Sequence, residues 1–88
     1  MRPLKYQFAV IREDREIIYT QLRQSGQAFM YQVNSGERIY YEVFKRKVNE
    51  GRKCIMYPNS KSYGDWAWVY LTYDAAISEF NLLHTYDQ

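Results

Sequence analysis

One cysteine, one histidine, two prolines and four glycines in 88 residues leave little from which to build a staple, a metal centre or a phosphate loop. Cys54 alone cannot close an internal disulfide, and a chain without disulfides fits a reducing compartment. A metal site needs several His, Cys or carboxylate ligands at matched spacing, and Cys54 and His84 stand alone, far apart in the chain. As a nucleophile–base pair they fare no better. Cys54 falls within a strand-like stretch, where a single cysteine usually serves as a small apolar side chain. His84, near the end of a helix-like stretch, is more simply a cap or dipole partner. Gly26, Gly36, Gly51 and Gly64 are scattered, so there is no glycine-rich loop to cradle phosphate. No stretch nears the roughly 20 apolar residues that span a bilayer. Met1-Arg2-Pro3-Leu4-Lys5 lacks the apolar run of a signal peptide. The expectation is a cytoplasmic protein with no membrane partner, no catalytic residue, no cofactor and no metal: not an enzyme.

What is present is a folded composition, 47% hydrophobic and 25% charged, expected to form a single domain over residues 1–88. Aromatics reach 18%, ten of them tyrosine, which suits half-buried sheet faces and contact surfaces. The charge is uneven. Arg38, Lys45, Arg46, Lys47, Arg52, Lys53 and Lys61 face only Glu42 and Glu50 across residues 38–61, while residues 62–88 carry Asp65, Asp74, Glu79 and Asp87 and no Lys or Arg. Such polarity steers a charged partner, or neutralises itself when the two parts pack together.

Periodicity then places the elements. Leu4, Tyr6, Phe8 and Val10 alternate with Lys5 and Gln7, which predicts an N-terminal strand, although Leu4, Phe8 and Ile11 also share helical spacing. Residues 13–24 open on Glu13, Asp14 and Glu16, close on Arg23 and stop at Ser25-Gly26. This order favours a helix, against the strand propensity of Ile17, Ile18, Tyr19 and Thr20. Residues 28–33 and 38–47 predict a hairpin about Asn34-Ser35-Gly36-Glu37, with Ile39, Tyr41 and Val43 on one face and Tyr40, Glu42 and Phe44 on the other. A third strand is expected over 53–57, stopped by Pro58, then a polar loop 58–65 and a fourth strand 66–71. Thr72 is a good helix N-cap, and Ala76, Phe80 and Leu83 define the apolar stripe of a helix over 73–84. The fold class is therefore α+β: an antiparallel sheet of three to four strands with a C-terminal helix packed on one face, and an additional N-terminal strand and helix. The small Ala67, beside Val69 and Leu71, is the expected seat of that helix. Trp66, Trp68 and Tyr70 would then face away from it.

Two functional readings follow. Tyr63 in the loop, with Trp66, Trp68 and Tyr70 on an aromatic sheet face, would bind another protein, a second copy of the chain included, because Trp and Tyr are enriched among binding hot spots. Alternatively Lys45, Arg46, Lys47, Arg52 and Lys53 gather at one hairpin end, with Tyr40, Phe44, Tyr57 and Tyr63 near in sequence, as a single-stranded nucleic acid would require. The segments Tyr41-Glu42-Val43-Phe44-Lys45, Tyr57-Pro58-Asn59-Ser60, Tyr63-Gly64-Asp65-Trp66-Ala67-Trp68 and Thr72-Tyr73-Asp74-Ala75-Ala76 resemble, over residues 38–83, short uncharacterised α+β proteins carried by bacterial phages and conjugative elements. The resemblance implies a phage or mobile-element context and a small accessory protein, and it carries over no catalytic residue.

Overall fold

Four successive segments with alternating side chains each pair with their sequence neighbour, and a later segment returns to the end of that sheet. A computed structural model describes residues 3–86, with the backbone alone for 84–86. The strands are β1 (Gln7–Arg12), β2 (Arg15–Gln24), β3 (Ala28–Asn34), β4 (Ile39–Lys45), β5 (Val48–Asn49), β6 (Cys54–Ile55) and β7 (Ala67–Tyr70), followed by helix α1 (Tyr73–Tyr86). Five of them form one antiparallel sheet in the order β1-β2-β3-β4-β7, and β5 pairs with β6 in a separate small ladder. The fold is α+β, with the C-terminal helix packed on the sheet. Among the described residues no helix is long and apolar enough to cross a membrane.

Residues 13–24 are a strand, not a helix. The reason is tertiary. Tyr19 pairs with Phe8 on one side and Val33 on the other. As a strand, this segment puts Ile17 and Tyr19 on one buried face, which a helix could not do. Its acidic start is a tight turn: Glu13 and Asp14 both take positive φ, 52° and 61°, the signature of a type I′ hairpin. Ser25-Gly26, which reads as a helix stop, is the next hairpin turn. The Ser25 hydroxyl accepts the N–H groups of Gln27 and Ala28 at 3.1 and 3.0 Å. At the β3–β4 turn, Gly36 has φ +89° and donates its N–H to the Asn34 side-chain oxygen at 2.8 Å.

The expected third strand over 53–57 shrinks to Cys54–Ile55 and stays out of the main sheet. Its partner is the short β5, so residues 46–66 make an excursion that returns as β7 beside β4. Pro58 and the positive φ of Lys53 leave little room for a longer ladder.

Helix α1 starts as the sequence implies. The Thr72 hydroxyl accepts the Ala75 N–H at 3.2 Å. Ala76, Phe80 and Leu83 are buried against Ala28, Met30 and Val43. The seat expected for the helix is wrong by one residue of phase. Trp68 and Tyr70, not Ala67, Val69 and Leu71, lie on the helix side; Val69 and Leu71 are exposed. The register explains it. Val43 pairs with Trp68 and Tyr41 with Tyr70, and Val43 is the floor of the helix layer. Trp66 stands just before the ladder, in a tight turn, and joins Ala67 in the opposite layer.

Candidate functional site

The face of the sheet away from the helix is covered by loop, and the cover is aromatic. Phe8 and Tyr19 stack at 4.7 Å between ring centroids, 5° from parallel. Tyr57, from the segment after β6, stands edge-on against Phe8, Tyr19, Tyr31 and Phe44, at 5.4, 5.7, 5.3 and 5.0 Å. Edge-to-face contacts align the positive ring edge with the negative face of the neighbour and are worth about 0.5–1.5 kcal/mol each. Tyr57 is thereby fixed at the centre of the layer.

Its hydroxyl points at the one buried carboxylate among the described residues, Glu42, which is 6% exposed, and donates a hydrogen bond to Oε1. Tyr63 lines the same space and feels the Glu42 charge. Glu42 sits in the middle of β4, between Tyr31 of β3 and Val69 of β7. Tyr31 itself is fully buried and fully employed: its hydroxyl donates to the Lys5 carbonyl at 2.6 Å and accepts from the Gln21 side chain at 3.0 Å. Burial, then the Glu42 charge, pushes both Tyr57 and Tyr63 far above the usual tyrosine value of 10.0. Tyr19 and Tyr40 are also raised, by burial first and the Glu42 charge second, while Arg12 pulls them back.

These groups line a cleft of about 390 Å³. Phe8, Tyr19 and Tyr40 wall it from the sheet, and Tyr57, Ser60 and Tyr63 from the loop. Glu42 lies within it and Arg12 at its edge. The loop is held by its own hydrogen bonds. Ser62, 4% exposed, offers its carbonyl to the N–H groups of Asp65, Trp66 and Ala67 at 3.1, 3.0 and 3.2 Å. Asn59 Oδ1 accepts from the Lys61 N–H at 2.9 Å, and Gly64 turns the chain at φ +89°. The wall that carries Tyr63 is thus a hydrogen-bonded turn.

The four residues expected to form one aromatic binding face do not share a face. Tyr63 lines the cleft. Trp66 is 7% exposed, edge-on to Phe44, with the Lys47 ammonium 5.4 Å from its ring. Trp68 and Tyr70 pack with the helix layer on the other side, and Trp68 reaches a groove of about 340 Å³ beside Lys45, Glu79 and Leu82. The basic residues divide as well. Arg46, Lys47, Arg52 and Lys53 are exposed around the β5–β6 ladder, and Lys45 lines the helix-side groove. The rings expected to stack beside them are engaged elsewhere: Phe44 is fully buried, while Tyr40, Tyr57 and Tyr63 line the cleft. Cys54 is half-buried in β6. The side chain of His84, expected to serve the helix end, lies outside the described residues. Among those residues no three His, Cys, Asp or Glu side chains come together to hold a metal.

Sequence reasoning missed Glu42 as a site residue, although it placed Glu42 on the same strand face as Tyr40 and Phe44. A carboxylate flanked by inward-facing rings was the available signal. What the sequence could not supply was Tyr57, fifteen residues on, as its donor. No protein-family model, curated protein or solved structure matches the chain.

Proposed function

We propose that this is a non-enzymatic binding domain that takes a group of another protein into the cleft between the Phe8–Tyr19–Tyr40 wall and the Tyr57–Tyr63 loop. The observation that carries the reading is the cleft itself: a concave, ring-lined space with a buried carboxylate and a hydrogen-bonded loop as one wall. Binding pockets commonly combine mostly apolar walls with a few placed polar groups. Tyrosines offer large contact area at little entropic cost. The protein contact expected of Tyr63 is kept, and its companions become Tyr19, Tyr40 and Tyr57 in place of Trp66, Trp68 and Tyr70. An accessory role in the cytoplasm, in the phage or mobile-element setting that the resemblance implies, accords with this reading.

The test is a comparison of captured proteins between the wild-type chain and Ser60→Trp, in which an indole at an exposed loop position fills the cleft mouth. A partner held by the wild type and lost by the folded variant is expected. Identical capture by both would remove the cleft from the account.

A second reading, nucleic-acid contact, is favoured by the exposure of Arg46, Lys47, Arg52 and Lys53 around one ladder. It predicts salt-sensitive retention on immobilised single-stranded DNA, abolished when Arg46, Lys47, Arg52 and Lys53 become Glu. Absence of retention at low salt would exclude it.

A further inference from the structure

Among the described residues Glu42 has a hydrogen-bond donor but no ion-pair partner. Its phenol partner, Tyr57, is a neutral group. Among the described residues the one ion pair is Arg15–Glu37, at 2.9 Å, between exposed side chains. Arg12 lines the cleft without closing an ion pair on Glu42. Buried carboxylates are ordinarily balanced by a cation, because removing a lone charge from water is costly. A carboxylate offers about four lone-pair sites, and one phenol leaves acceptor capacity unused. Phe8, Tyr19 and Tyr40 line the same cleft, and their apolar rings suit the aliphatic stem of a long charged side chain. Negative charge within, apolar walls and open volume describe one complementary class of group.

We propose that the cleft receives a cationic side chain, a lysine ammonium or an arginine guanidinium, presented by a partner protein. This deepens the reading of the protein as a binding domain and rests on it. The aliphatic stem of such a side chain would lie along the rings while its charged end meets Glu42. Arg12, exposed at the edge, shares the sign of the ligand and tunes affinity downward. An anion would meet the carboxylate unfavourably, and a neutral group would leave it without a countercharge.

The experiment is an NMR titration of the full chain with n-butylammonium and with methylguanidinium. n-Butanol serves as the neutral isostere and adenosine monophosphate as the nucleotide probe. Both cations are expected to shift the amide signals of Tyr19, Tyr40 and Ser60 saturably, with n-butanol weaker by about tenfold or more, the ratio a charge-assisted hydrogen bond supports. Glu42→Gln should weaken cation binding by a similar factor. Arg12→Glu, a change at an exposed position, should tighten it, and it keeps the question open to measurement if Glu42→Gln does not fold. Equal binding of n-butanol and n-butylammonium, or weaker cation binding in Arg12→Glu, overturns the cationic class and leaves the binding-domain reading standing. Preference for adenosine monophosphate overturns it in favour of nucleic acid. If no probe moves the cleft amides the proposal fails, and the Ser60→Trp comparison then decides separately whether the cleft binds protein at all.

Discussion

The two faces of this sheet are covered by different materials. One carries a helix whose buried residues Ala76, Phe80 and Leu83 sit on Ala28, Met30 and Val43, with Trp68 and Tyr70 packed beside them. The other carries a loop segment whose contacts are rings, and one of those rings, Tyr57, sets its hydroxyl on Glu42. A helix satisfies its own backbone and can lie dry on a sheet. A loop cannot; its polar groups need partners, so polar chemistry and the cleft gather beneath it. Position 43 belongs to the helix layer and position 44 to the aromatic layer, so one strand serves both.

That contrast can be broken at adjacent residues. Phe44→Ala removes a fully buried ring that contacts Phe29, Tyr31, Tyr57 and Trp66, and is expected to cost about 3–5 kcal/mol in urea unfolding. Val43→Ala, its neighbour on the helix face, should cost about 2 kcal/mol. Equal losses would mean the loop layer is no better packed than the helix layer. Tyr57→Phe keeps the ring and deletes the donor to Glu42, with an expected loss of about 1–3 kcal/mol by the same measurement.

A pH series probes the aromatic face without mutation. Tyr57 and Tyr63 hold their protons in the fold well above the usual 10.0. Below pH 10 both folded and unfolded chains keep these protons, and their contribution is fully present. Above it the unfolded chain ionises first, and stability falls as pH rises toward the folded values. The limiting slope is about 1.4 kcal/mol per pH unit for each such tyrosine. Denaturation at pH 9 to 11 should show this fall, shallower in Tyr57→Phe. The smallest effect belongs to the helix side: Thr72→Ala removes the N-cap and should cost about 1 kcal/mol, seen as a modest drop in melting temperature.

The helix side was the more legible in sequence. Ala76, Phe80 and Leu83 announce the buried stripe by spacing, Thr72 by its cap, and the β3–β4 hairpin by Asn34-Ser35-Gly36. The face on which the helix sits was not legible. Alternation within 66–71 does not say where the ladder begins, and Trp66, lying just outside it, shifts the phase. Residues 13–24 were opaque for a different reason. Their turn uses Glu13 and Asp14 at positive φ with no glycine to mark it, and their strand state is imposed by β1 and β3. The cleft was legible only in part. The inward phase of Glu42 and the turn chemistry of residues 58–65 could be read, but the meeting of Glu42 with Tyr57, and of Phe8 with Tyr19, is long-range packing that no local pattern encodes.

Glu42 is held within the fold by the Tyr57 hydroxyl. A double-mutant cycle over Tyr57→Phe and Glu42→Gln measures that link directly. Coupling of about 1.5 kcal/mol or more is expected for a hydrogen bond to a charged acceptor. Additive losses, within about 0.3 kcal/mol, would show that the two groups do not meet and would contradict the site described.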